Sequence, residues 1–208
     1  MTADFVRDRR RMVDRLRAEG IHDLAVLQAF DAVPRHQFVP PEIHHRAYDL
    51  VPLPIGYGQT ISSPVIHAIS LELAELRGGE RVLEVGTGSG FQTALLAHLA
   101  GEVYSIERIA RLADRAKEAL DRLGVAVHLR TGDGSGGWPE EAPFDAIIVS
   151  AAATEVPGAL LAQLADGGRL VVPVGDRRQA LYRIRRDRDE YVRERITGAL
   201  FVPLIEQS

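Results

Sequence analysis

Apolar residues in the first third of the chain recur at helical spacing. They predict helices over residues 4–19, 23–33 and 65–76, the last of them opening just after Pro64. Residues 46–63 lie between these helices and are rich in Pro, Gly, Ser and Thr, so we expect a long ordered loop there. Long loops inside a compact domain are usually functional, which makes this loop a candidate site.

From residue 81 onward the pattern changes to strands that alternate with helices. The predicted strands are 82–85, 102–106, 126–130, 146–149 and 169–174, and the predicted helices are 91–99, 109–123 and 157–164. Apolar alternation over 180–186 and 191–203 predicts an antiparallel pair at the sheet edge. The predicted fold is therefore α/β: a doubly wound, Rossmann-like sheet, mostly parallel with an antiparallel edge, after an N-terminal helical extension. We expect residues 1–63 to pack on a core formed by 64–208, as one structural unit.

Composition narrows the classes of function. The chain has 208 residues, a net charge of -4 and no cysteine. The charge argues against a dedicated nucleic-acid binder, and the missing cysteines exclude disulfides, thiolate metal sites and a cysteine nucleophile. No apolar run approaches the roughly 20 residues that cross a bilayer, and the two adjacent histidines His44 and His45 lack further metal ligands nearby. We expect a cytoplasmic protein that contacts neither a membrane nor a metal ion.

A glycine-rich loop follows the first strand of the alternating region. Residues 84–90 read Glu-Val-Gly-Thr-Gly-Ser-Gly, and glycines here let the backbone turn sharply beneath a nucleotide. A dinucleotide fingerprint has the spacing G-x-G-x-x-G, whereas here Gly90 comes one residue early. Glu84, two residues before Gly86, carries a carboxylate that can hold the ammonium of an amino acid. The spacing and this acid favour S-adenosylmethionine over a dinucleotide as the cofactor.

Two further motifs stand where the next two strands end. Glu107 closes the second strand, where a carboxylate can accept hydrogen bonds from both hydroxyls of a ribose. Gly132, Asp133 and Gly134 follow the third strand, and small residues there admit a flat adenine whose amine Asp133 can bind. Open sheets bind ligands at the carboxyl ends of their strands, so we expect one cofactor site. Its predicted residues are Glu84, Gly86, Thr87, Gly88, Ser89, Gly90, Glu107, Asp133 and Gly134.

The stretch Leu-Pro-Ile-Gly-Tyr-Gly-Gln-Thr-Ile-Ser at 53–62 is more specific than the glycine loop. It resembles the signature loop of protein-L-isoaspartate (D-aspartate) O-methyltransferases, which repair damaged aspartyl and asparaginyl residues. The resemblance covers nearly the whole chain in order. It continues in residues 33–40, 82–93, 142–149, 151–153, 167–175 and 201–204.

The resemblance implies roles for individual residues. Ser62 would be the active-site residue, His67 would help to hold the cofactor, and Ile55, Gln59, Thr60 and Ile61 would bind the substrate. The implied reaction moves a methyl group from S-adenosylmethionine to the free carboxylate of L-isoaspartyl and D-aspartyl residues in damaged proteins, and we expect a monomer. The family usually has an aspartate where this chain has Leu50, and Asp49 stands one place earlier, so we assign Asp49 no role.

Several alternatives stay open at this point. An isoaspartyl carboxylate is already ionised at neutral pH, so the reaction needs no general base and no Ser-His-Asp set is expected. Ser62 would then position the carboxylate, although a serine before Pro64 can instead cap the helix that follows. The chain can also be a methyltransferase for another carboxylate, or an adaptor that binds the cofactor without catalysis. The early third glycine and the lack of a catalytic set disfavour an NAD-dependent dehydrogenase.

Overall fold

The computed structural model describes residues 4–198 and 201–204. Its α-helices are α1 (Phe5–Ala18), α2 (Leu24–Ala32), α3 (Pro64–Ala74), α4 (Phe91–Leu99), α5 (Ala110–Arg122) and α6 (Gly158–Ala162). Its strands are β1 (Leu53–Gly56), β2 (Gln59–Ile61), β3 (Arg81–Val85), β4 (Glu102–Glu107), β5 (His128–Thr131), β6 (Phe144–Val149), β7 (Leu164–Val174), β8 (Ala180–Asp187) and β9 (Glu190–Gly198). Short 3-10 helices occupy Arg35–Phe38, Pro41–Arg46 and Pro139–Glu141.

Seven of the strands form one mixed sheet in the order β5-β4-β3-β6-β7-β8-β9. The first five strands in this order run parallel, while β8 and β9 are antiparallel additions at one edge. The predicted α/β sheet with an antiparallel edge is therefore confirmed. The chain reverses its direction of winding between β3 and β6, and such a switch point opens a crevice at the carboxyl ends of the strands.

The last predicted strand, 191–203, is too long. Strand β9 ends at Gly198, and residues 199–200 lie outside the described residues. Residues 201–204 leave the sheet edge and run beside Ala152, where the Ala152 and Leu204 N–H groups donate to the Val202 and Ala152 carbonyls, each at 2.7 Å. These backbone bonds bring residues 202–204 to the crevice.

The long ordered loop expected over residues 46–63 is not irregular throughout. A two-stranded hairpin, β1 and β2, forms within it, and Leu53 lies opposite Ile61. Leu53, Ile55 and Ile61 are all buried, so alternate positions of a short apolar pattern face the core. Pro and Gly at this density hide that alternation in the sequence.

The N-terminal segment shares its core with the sheet. One continuous apolar cluster extends from Met12 on α1 to Leu181 on β8. Within it Phe30 of α2 meets Phe91 of α4 edge to face, with ring centroids 5.8 Å apart. This packing agrees with the expected single unit of 1–63 on 64–208, which stays a prediction. Among the described helices none has the length and apolar character needed to span a membrane.

Candidate active site

A cavity of about 290 Å³ opens at the carboxyl ends of the parallel strands. The β1–β2 hairpin, the start of α3, the glycine loop and the ends of β4, β5 and β6 surround it. Its lining comprises Ile55, Tyr57, Gln59, Thr60, Ile61, Ser62, His67, Val85, Gly86, Thr87, Gly88, Ser89, Gln92, Ile106, Glu107, Arg108, Ile109, Leu112, Asp133, Gly134, Ser150, Ala151, Val202, Pro203 and Leu204. Thirteen of the fifteen predicted site residues are in this set, and Glu84 and Gly90 are not.

The glycine loop is held in place by hydrogen bonds to the end of strand β4. Gly86 and Gly88 have φ of 97° and 57°, in the left-handed region that favours glycine. The Gly86 N–H donates to the Ile106 carbonyl and the Gly88 N–H to Oε2 of Glu107, each at 2.8 Å. A Cβ on Gly88 would stand 3.6 Å from Cδ1 of Ile55, within the space between the loop and the hairpin. The loop thus forms one wall of a cradle that a side chain would narrow.

Gly90 serves packing instead of lining the cavity. Its φ is 87°, and a Cβ there would come within 3.2 Å of Cβ of Ala116 on α5. The third glycine therefore allows α4 to begin close against α5.

Glu84 lies beneath the glycine loop and not in the cavity. It is fully buried, and its carboxyl group accepts hydrogen bonds from Nε2 of Gln92 at 3.0 Å, from Oγ of Ser105 at 2.6 Å and from Oγ1 of Thr93. Burial raises the pKa of Glu84 to about 7, against the lowering effect of these bonds. Glu84 thus joins β3 to β4 and α4, and it is not among the residues that line the cavity.

Glu107 and Asp133 line the opposite side of the cavity. The two Glu107 oxygens each accept one backbone N–H, from Gly88 at 2.8 Å and from Ile109 at 2.9 Å. Each carboxylate oxygen has a second lone pair, so the side chain can accept two further hydrogen bonds. Asp133 accepts the Ser135 N–H at 2.9 Å, which holds its carboxylate at the loop after β5.

Ser62 and Ser63 divide the two roles that the sequence left open for one serine. Oγ of Ser63 caps α3 by accepting the N–H of Ile66 at 3.3 Å. The Ser62 hydroxyl has no partner among the described residues, and Ser62 lines the cavity. Capping is therefore the work of Ser63, and the Ser62 hydroxyl is available to a ligand.

A buried arginine anchors the backbone of Ser62. Arg35 is fully buried and donates from Nη2 to the Ser62 carbonyl at 3.0 Å and to the Val51 carbonyl at 3.4 Å, and from Nη1 to the Ala47 carbonyl. Burial lowers the pKa of Arg35 to about 10, while the negative charge of Asp49 opposes that effect. The sequence alone assigned no role to Arg35 or to Asp49. Arg35 belongs to the stretch 33–40, which carries part of the family resemblance.

His67 is an uncharged group at the cavity wall. Burial lowers its pKa to about 3, with a further contribution from the Arg35 charge, so the imidazole is neutral at pH 7. Its Nδ1 atom is buried and has no hydrogen-bond partner within residues 4–198 and 201–204. An unpaired buried nitrogen costs free energy, so His67 holds its position at the cavity wall at the expense of stability.

The structure adds lining residues that sequence reasoning missed. Ser150 and Ala151 follow β6, and Oγ of Ser150 accepts Nε2 of Gln92 at 2.9 Å. Val202, Pro203 and Leu204 come from the far end of the chain. The position of 150–151 directly after a parallel strand could have indicated them, whereas no local signal indicates 202–204. No group of three or more His, Asp or Glu side chains in the described parts of the chain is placed to hold a metal ion.

Comparison with known proteins agrees with this geometry. The profile of the family described as protein-L-isoaspartate(D-aspartate) O-methyltransferase matches residues 7–208. A protein-L-isoaspartate O-methyltransferase of Dictyoglomus thermophilum is 49% identical over 205 residues, covering 98% of this chain and 93% of the relative.

Two solved structures extend the comparison. One protein-L-isoaspartate O-methyltransferase superimposes with a TM-score of 0.86 at 30% identity; the match covers 94% of this chain and 65% of that one. A protein from Plasmodium falciparum in complex with S-adenosyl-L-homocysteine gives a TM-score of 0.83 at 28% identity, covering 95% and 98%. The predicted fold, family and enzyme class, a methyltransferase that depends on S-adenosylmethionine, are thus confirmed. This chain belongs to the protein-L-isoaspartate (D-aspartate) O-methyltransferase family.

Proposed function

We propose that this protein transfers a methyl group from S-adenosylmethionine to the free α-carboxylate of L-isoaspartyl residues in damaged proteins, and that Ser62 positions that carboxylate. The observation that carries the proposal is the unpaired Ser62 hydroxyl, which shares one cavity with the glycine loop, Glu107 and Asp133. Methylation of D-aspartyl residues, the monomeric state and the cytoplasmic location stay predictions.

The cofactor end of the cavity suits a nucleoside with an amino-acid tail. We assign the two free lone pairs of Glu107 to the ribose hydroxyls and the loop at Asp133 and Gly134 to the adenine. The glycine loop at Gly86, Thr87, Gly88 and Ser89 lines the cavity together with His67, and we assign this wall to the tail. We propose that Glu84 and Gly90 support this site from below without touching the cofactor.

The acceptor end needs a hydrogen-bond donor and no base. An α-carboxylate with an ordinary pKa near 3.5 is ionised at pH 7, so an oxygen is ready to attack. The Ser62 hydroxyl can donate to the other oxygen and fix the orientation of the group. His67, with its pKa of about 3, leaves no imidazolium here to compete for the carboxylate.

Catalysis then depends on alignment. When bound, S-adenosylmethionine supplies a methyl group on a cationic sulfur, and its transfer leaves a methyl ester and a neutral thioether. Holding two reactants in line can lower a barrier by roughly 7–11 kcal/mol, so positioning can provide much of the acceleration. Arg35 serves this end because it fixes the Ser62 carbonyl from the interior. We propose that the hairpin residues Ile55, Gln59, Thr60 and Ile61, which line the cavity, bind the substrate there.

The test uses labelled S-adenosylmethionine with paired isoaspartyl and normal aspartyl peptides, and scores base-labile methyl ester. We expect wild-type transfer to the isoaspartyl peptide alone. Ser62→Ala should lower kcat by about 10- to 100-fold with the affinity for S-adenosylmethionine unchanged.

Ser63→Ala is the matched control, since it removes a neighbouring hydroxyl that caps α3. It should cost about 1 kcal/mol of stability and leave kcat within about twofold. Wild-type turnover by Ser62→Ala would remove Ser62 from the mechanism. Transfer to neither peptide, despite binding of the methyl donor, would instead leave a methyltransferase for another carboxylate or an adaptor.

A further inference from the structure

The tip of the β1–β2 hairpin carries an aromatic side chain that neither the cofactor nor the reacting carboxylate explains. We propose that Tyr57 is a binding residue for the polypeptide that flanks the isoaspartyl residue, so that the enzyme favours peptides over the smallest isoaspartyl compounds. This inference rests on the proposed function. It concerns the polypeptide on either side of the lesion, beyond the carboxylate that Ser62 is proposed to hold.

The backbone at Tyr57 is in a conformation that a tyrosine adopts at a cost. A two-residue turn, Tyr57 and Gly58, joins the two strands, and φ is 55° and 71° at these positions. Two-residue hairpin turns with both φ values positive strongly prefer Asn-Gly, because a bulky side chain is disfavoured in the left-handed region. Strained residues of this kind cluster at ligand sites, where the surrounding structure holds them.

The side chain of Tyr57 is both open to solvent and part of the site. It is 55% exposed, yet it contributes to the lining of the cavity, so it stands at the mouth. It is the one phenol or phenyl ring among the described lining residues. A single exposed aromatic residue needs no explanation by itself. Tyr57 combines exposure with a strained backbone and a position at the mouth of the cavity, and this combination indicates a role in binding.

The chemistry of the substrate suits such a ring. Isoaspartyl lesions arise in different sequences, so the flanking residues offer only a peptide backbone in common. A tyrosine ring provides a rigid contact surface with little loss of conformational freedom, and it can pack on peptide planes without reading side chains. We therefore assign Tyr57 to backbone contact next to the lesion. In this role it acts on binding and leaves the methyl transfer step unchanged.

Three substitutions of Tyr57 separate the effects of its aromatic ring, of its hydroxyl group and of the backbone strain. Tyr57→Phe keeps the ring, Tyr57→Ala removes it and keeps the strained turn, and Tyr57→Asn removes it while creating the favoured Asn-Gly turn. Each variant is assayed with an isoaspartyl hexapeptide and with the dipeptide isoaspartyl-glycine. Affinity for S-adenosylmethionine is measured by calorimetry, and Tm by thermal unfolding.

Loss of the ring in the alanine and asparagine variants should raise KM for the hexapeptide about tenfold, with kcat and the affinity for S-adenosylmethionine within about twofold of wild type. The dipeptide kcat/KM should change by less than about twofold, and Tyr57→Phe should resemble wild type. Tyr57→Asn should also raise Tm by about 2–4 °C through relief of strain. A purely structural role for the ring would instead lower Tm and leave the ratio between the two substrates unchanged.

Arg188→Asn is the matched control, because Arg188 has φ of 56° in the β8–β9 turn, away from the cavity. It should raise Tm in the same way and leave both KM values unchanged. The inference is overturned if the hexapeptide KM of Tyr57→Ala and Tyr57→Asn stays at the wild-type value. It is also overturned if kcat/KM falls equally for both substrates, or if the affinity for S-adenosylmethionine falls instead. A wild-type enzyme that methylates neither substrate overturns the proposed function and this inference with it.

Discussion

Replacing Glu84 with glutamine tests the buried carboxyl group beneath the glycine loop. The folded protein raises the pKa of Glu84 from its ordinary 4.5 to about 7, chiefly through burial. Because the folded pKa lies above the unfolded one, the folded state holds more protons between these values, and stability falls as pH rises. The stabilising effect of the protonated form is complete below pH 4.5 and is lost as pH passes through about 7.

The size of the effect follows from the two pKa values. Each change of one in a pKa corresponds to about 1.4 kcal/mol, so the full loss is about 3 kcal/mol, of which about 2–3 kcal/mol falls between pH 5 and pH 8. Glutamine cannot ionise and lacks this dependence. The glutamine NH2 group would also lie opposite one of the three side chains that now donate to Glu84, which are Gln92, Thr93 and Ser105. Two donors that face each other cannot form a hydrogen bond, which adds a pH-independent cost of about 1–2 kcal/mol.

The assay is urea unfolding of wild type and Glu84→Gln at several pH values from 5 to 8. The difference in unfolding free energy should move in favour of the variant by about 2–3 kcal/mol as pH rises, because the contributions of groups that do not interact with Glu84 cancel. Glu118→Gln, on the exposed face of α5, is the control for the chemical change itself. A constant difference, or one that moves towards wild type with rising pH, would refute burial as the dominant influence on this carboxyl group.

Two further predictions concern the interior beside Ser62. Arg35→Lys should lower stability by about 2–4 kcal/mol and also lower kcat, because a lysine ammonium cannot reach the three carbonyls that the guanidinium binds. Urea unfolding and turnover measure these effects, and Arg17→Lys at an exposed position is the control. An unchanged kcat would mean that Arg35 does not position Ser62. His67 should stay neutral down to pH 5 in an NMR titration of its ring nitrogens, and its contribution to stability should be present above pH 6.5 and decline as pH falls towards 3. Protonation of His67 above pH 6 would contradict this account of the cavity wall.

Local patterns were sufficient for much of the fold. Helix α4 has the predicted bounds, and most other elements agree within a few residues, because the spacing of apolar residues reflects which face of each element is buried. The hairpin escaped detection since its strands have only three or four residues and contain Pro and Gly. The positions after successive strands also indicated the cofactor site, because parallel strands end at one edge of the sheet.

The sequence by itself therefore determined the alternation of strands and helices, the family, and about half of the residues that line the cavity. Only the tertiary structure decided which partners these residues have: Glu84 bonds to β4 and α4, Gly90 packs on Ala116, and Ser63 caps α3, while the Ser62 hydroxyl has no partner in residues 4–198 and 201–204. The same holds for residues 202–204, which reach the cavity beside Ala152. Periodicity records only whether a position is buried, whereas its partners come from distant segments that meet when the sheet assembles.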